Sequence, residues 1–89
     1  MAINGKNYFS RFANDADQGV ASAQYELGLM YSTGHGAPLD YVTAHKWFNL
    51  ACMQGVAEAR DHRADLARDM SSAEIAEAQK LAREWVHIH

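Results

Sequence analysis

Five histidines are the side chains most able to do chemistry in this sequence of 89 residues. His35 sits among glycines, His45 and His62 fall in helical stretches, and His87 and His89 flank Ile88 at the C-terminal end. Catalytic zinc on a helix needs two histidines one turn apart with a general base beside them, as in HExxH, and that spacing does not occur. No Asp or Glu stands with two histidines at ligand spacing, so the terminal pair offers only an adventitious chelate. No serine lies in GxSxG, and Ser71 and Ser72 are placed for helix capping instead. No GxxxxGK[ST] loop is present to cradle phosphates. Cys52 is the single cysteine; its setting, Leu50-Ala51-Cys52-Met53, has no adjacent cation, which marks a small packed hydrophobe rather than a reactive thiol. These residues point away from catalysis and away from any cofactor. A small-molecule or metal site built on the histidines remains a remote alternative.

The charge pattern narrows the partners. Eight Lys+Arg against eleven Asp+Glu give a net charge of −3, and the basic residues are scattered. Capture of a phosphate backbone needs a clustered positive face, so nucleic acid is excluded as a partner. No apolar run approaches the ~20 residues of a membrane span, and no basic segment followed by an apolar core opens the chain. The sequence therefore reads as soluble and cytoplasmic, with no membrane partner.

Any functional side chain must be positioned by helices. The sixteen alanines, single proline and six glycines favour helix over sheet. Gln18-Gly19-Val20-Ala21-Ser22-Ala23 recurs as Gln54-Gly55-Val56-Ala57-Glu58-Ala59, a spacing of 36 residues that suits two helices and two connections. Apolar periodicity predicts helices at about 6–17, 20–33, 40–54, 57–69 and 72–87. Gly19 and Gly55 stop the first and third helices. Asp40 caps the third, and Ser71 with Glu74 forms a capping box for the fifth. The last helix is expected to bury Ile75, Ala78, Ala82, Trp85 and Val86. Gly28, in mid-helix, costs ~1 kcal/mol against alanine, which implies close approach by a neighbouring helix.

The stretch from Gln18 to Gly55 resembles the Sel1-like repeat, a relative of the tetratricopeptide repeat. Its marks are Ala23, Leu27-Gly28, Tyr31, Gly34-His35-Gly36, Asp40, Ala44, Trp47-Phe48, Ala51 and Gly55. The resemblance implies an all-α chain: a short right-handed α-solenoid of antiparallel helix pairs, about five helices in one domain, 1–89. In that frame 6–18 is the second helix of a partial repeat, 20–55 a complete repeat, and 57–87 a degenerate C-terminal capping hairpin. Some cysteine-rich relatives carry a Cys pair in every repeat, and lone Cys52 sets this chain apart from them.

The family implies a scaffold that binds a peptide or protein on a concave helical face, without catalysis. Carried over by residue, that face presents Ser22, Tyr25, Leu29 and Ser32 from one helix. The 36-residue shift adds Glu58, Asp61, Asp65 and Arg68 from the next. The expected partner segment carries an apolar anchor followed by Lys or Arg. Tyr25 and Leu29 have a second reading as contacts within the array, and the acidic trio a second reading as a solvated face. Tyr8, Phe9 and Phe12 on the opening helix form an apolar face whose usual neighbour is absent, so self-association is the alternative function.

Overall fold

The computed structural model describes residues 5–89, and side chains from Tyr8 onward. Five helices follow one another: α1 Gly5–Asp17, α2 Ala21–Thr33, α3 Tyr41–Met53, α4 Ala57–Ala67 and α5 Ser72–Ile88. No strand occurs among the described residues. The expected boundaries hold to within one or two residues, the scatter normal at frayed helix ends. The chain is an all-α repeat solenoid.

Caps form where the sequence places them. Asp40 accepts the Thr43 backbone N–H at 3.1 Å and the Thr43 hydroxyl at 2.7 Å. At α5 the Ser71 hydroxyl accepts from Glu74 N–H, and the Glu74 carboxylate accepts from Ser71 N–H. The turns after α1 and α3 share one hydrogen-bond pattern shifted by the repeat. Gly19 N–H donates to Ala16 and Val20 N–H to Asp15; Gly55 N–H donates to Cys52 and Val56 N–H to Ala51. Both turns pass through a positive-φ glycine, Gly19 at 92° and Gly55 at 94°, conformations a Cβ would strain.

Helix α3 is the hub, packing on α2, α4 and α5, while α2 also packs on α1. Two core clusters result. One joins Ala44, Phe48 and Ala51 of α3 to Ala59 and Leu66 of α4, Met70, and Ala78 of α5. The other joins Ala16 of α1, Ala23 and Leu27 of α2, Trp47 and Leu50 of α3, and Ala82 of α5. Seven alanines are among these buried residues, each at most 3% exposed. They bring the helix axes close and leave the large side chains to fill the gaps.

Val86, expected in the core, lies outside it, and so does Val20 at the start of the predicted second helix. Val20 is exposed because it is the N-cap of α2, with extended backbone, and leaves the helical stripe. Val86 is exposed because α5 turns its Ala78–Ala82 line inward, and the His89 ring stacks on Trp85 at 4.1 Å.

Gly28 meets its expected neighbour. A Cβ built there would overlap the Phe48 ring at Cδ1, Cε1 and Cγ, and Phe48 is 1% exposed. To make room, this buried ring would have to shift against the residues packed around it. Gly28→Ala gains about 1 kcal/mol in helix propensity. It also overpacks a filled core, typically at a cost of ~1–3 kcal/mol. Overpacking wins, so Gly28→Ala lowers the melting temperature, whereas alanine at an open helical glycine would raise it.

Candidate functional site

The face shared by α2 and α4 is built over Phe48 of α3. Tyr25 reaches Phe48 with ring centroids 6.0 Å apart. His62 of α4 lies nearly flat on Phe48, at 5.4 Å and 16°, and meets Tyr25 at 5.7 Å. Three rings from three helices thus form one aromatic group. Partial burial, then the Glu58 and Glu26 carboxylates, push the Tyr25 phenol above its ordinary pKa.

Beside this group an open cleft of about 210 Å³ is lined by Ser32, Phe48, His62, Asp65, Leu66 and Asp69. Two of these, Ser32 and Asp65, belong to the face read from sequence. Ser32 donates its hydroxyl to the Leu29 carbonyl at 3.1 Å. Tyr25 and Leu29 are half-buried against the core, so contact within the array accounts for part of each side chain. Ser22, Glu58, Asp61, Asp65 and Arg68 are exposed. Arg68 follows the end of α4 and lies 3.4 Å from Asp65, in a pair open to water on both sides.

His62 and Asp69 escaped the sequence reading. The 36-residue shift selected positions equivalent to those on α2, but α4 exposes a different stripe to the cleft. His62 and Asp65 stand three residues apart on one face of α4, and Asp69 follows in the turn after the helix. That signal was present in the sequence.

The N-terminal residues are partly covered. Phe9 meets Tyr31 of α2 edge-on at 5.9 Å, and Phe9 and Phe12 pack on the second core cluster. Tyr8, 42% exposed and stacked on Phe12 at 6.3 Å, is the open member.

Among the described residues no group of three or more His, Cys, Asp or Glu is placed to hold a metal ion. No helix described is long and apolar enough to cross a membrane. Cys52 is a free thiol, half-buried against the first core cluster.

Residues 21–56 match the family model described as Sel1 repeat. Among solved structures, the chain is similar to a protective antigen present in uropathogenic Escherichia coli strains that displays an SLR fold. The TM-score is 0.88 at 24% identity, over 94% of this chain and 18% of that one. At that identity the likeness shows the fold, and this chain spans under a fifth of the antigen's length. No curated protein matches the chain.

His45 is the histidine whose environment most perturbs it. It is 3% exposed on α3, and its Nδ1 has no hydrogen-bond partner. Burial, then the nearby Arg63 guanidinium, lower its pKa from the ordinary 6.5. The folded state therefore binds fewer protons than the unfolded chain, and stability falls as pH drops below ~6.5. Urea midpoints measured from pH 8 to 5 should decline through that window, and His45→Leu should flatten the decline.

Proposed function

We propose that this Sel1-like repeat protein is a non-catalytic interaction module holding a protein or peptide segment along the face shared by α2 and α4. The observation that supports this most is the cleft over Phe48, where apolar and aromatic lining meets carboxylates. Helical-repeat scaffolds bind on surfaces built by successive repeats, and α2 and α4 occupy equivalent places one period apart. The carboxylates outweigh the available cations here. Glu58, Asp61, Asp65 and Asp69 are exposed, Arg63 is bonded to Asn49, and Arg68 lies against Asp65. A segment with an apolar anchor near Tyr25 and a basic residue further along complements that distribution.

Tyr25→Ala and Asp61→Lys should each weaken capture of such a segment by about tenfold or more, equivalent to ~1.4 kcal/mol. Fluorescence anisotropy with labelled Leu/Arg-containing peptides measures the loss, and thermal melts confirm that both variants remain folded. A peptide held equally by wild type and both variants would count against this face.

A second reading is self-association through the N-terminal aromatic residues. Its support is Tyr8, exposed on α1 and stacked on Phe12. Because Phe9 is packed, Tyr8→Glu tests this reading with less damage to the core. A concentration-dependent mass reduced by that variant supports it; a monomer throughout the micromolar range sinks it.

A further inference from the structure

We propose that the cleft lined by Ser32, Phe48, His62, Asp65, Leu66 and Asp69 is a recognition pocket for one arginine side chain of the bound segment. The inference rests on the proposed α2/α4 binding face and narrows its partner from a basic residue in general to a guanidinium. Volume is the first argument. At about 210 Å³ the cleft lies below the ~300–1,000 Å³ of pockets that enclose drug-sized ligands, and it suits a single extended side chain.

The chemistry of the lining is the second argument. Phe48 and Leu66, both buried, give the cleft apolar wall for a methylene stem. His62 lies on Phe48, yet the residue is exposed and lines the cleft, so part of its planar ring is accessible to an incoming group. A guanidinium stacks on such a surface, whereas an ammonium is a compact and strongly hydrated point charge. Asp65, near the end of α4, and Asp69, in the turn after it, both line the cleft. Asp69 has no side-chain partner among the described residues. Two acceptors beside a stacking face match the planar fork of arginine, and charge complementarity selects a cation over any neutral side chain.

The protein supplies an internal example of the contact. Arg68 lies 3.4 Å from Asp65 Oδ1, with the two side chains 79% and 67% exposed. A pair this open to water contributes little to stability, so an incoming guanidinium displaces it readily. Arg68 is therefore a weak competitor for the pocket, and removing it should tighten binding.

The test uses the full chain, uniformly labelled with nitrogen-15, titrated separately with the N-acetyl methylamides of arginine, lysine and citrulline. The arginine compound should shift the His62 ring signals and the Asp65 and Asp69 amides. The lysine compound should bind at least ~3-fold more weakly, and the neutral citrulline compound should leave these signals in place. Asp69→Asn should abolish the arginine shifts while the melting temperature is retained. Arg68→Ala should tighten binding by about two- to fivefold, the range released by an exposed pair. Equal binding of arginine and lysine, or shifts confined to Glu58 and Asp61, would overturn the arginine pocket. Peptides that lose binding on Tyr25→Ala yet are indifferent to Asp69→Asn overturn the pocket and leave the α2/α4 face standing. Indifference to both variants overturns both.

Discussion

The close approach of α2 and α3 at Gly28 is the constraint on which the rest depends. Without a Cβ at Gly28 the Phe48 ring sits directly against the α2 backbone. There it serves two purposes, filling the core beside Ala44, Ala51 and Ala59 and forming part of the cleft lining. Tyr25 from one side and His62 from the other are registered on that ring. A wider spacing between α2 and α3 would move Phe48 and the aromatic group together. The helix-propensity penalty at Gly28 thus fixes a surface as well as a core.

Polar side chains hold the successive turns in the same register. Gln54, in the turn after α3, donates to the Gly19 carbonyl at 2.9 Å and to Gln24 Oε1 at 2.9 Å. Gln24, 0% exposed, donates in turn to the Ala16 carbonyl at 3.2 Å. One chain of amides therefore ties the turn after α3 to the turn after α1, with the buried glutamine satisfied on both its oxygen and its nitrogen. Apolar packing tolerates small slips between helices; a directed amide chain tolerates fewer. At the far end His89 stacks on Trp85 and lies 3.1 Å from Asp17, which joins the end of α5 to the end of α1. The groove side chains stand on a scaffold fixed at both core clusters and across its turns.

What was legible in the sequence was local or periodic. Gly19 and Gly55 announced two equivalent turns, Asp40 and Ser71 announced caps, and the glycine at 28 announced a tight contact. Each depends on neighbours a few residues away or on a repeat. The Phe48–His62 stack was not legible, because it joins two helices and neither residue has a partner at helical spacing. The buried state of His45 was equally hidden, since a polar residue on an apolar helix reads as an exposed one until α3 is enclosed. Packing of α5 on α3 is a third case. The alanines of α5 marked a close contact but did not say with which helix. The cleft itself fell between these limits, with its acidic residues visible as a stripe and its aromatic wall visible only in three dimensions.

Affinity on such a surface must come from many modest contacts. The chain exposes 5468 Å² in total, and a standard interface takes ~800 Å² from each partner, about one-seventh of that surface. One cleft admitting a single side chain would cover a small part of this area, so in the proposed reading it sets register and selectivity while the rest of the α2/α4 face supplies the area. Exposed carboxylates fit that division of labour. Under the proposed function they would steer a cationic segment toward the face, an effect that weakens as ionic strength rises, with a screening length near ~8 Å at physiological salt. In the proposed reading, selectivity would concentrate where α3 contributes Phe48 to the wall between two equivalent helices, the place where the repeat spacing and the glycine contact coincide.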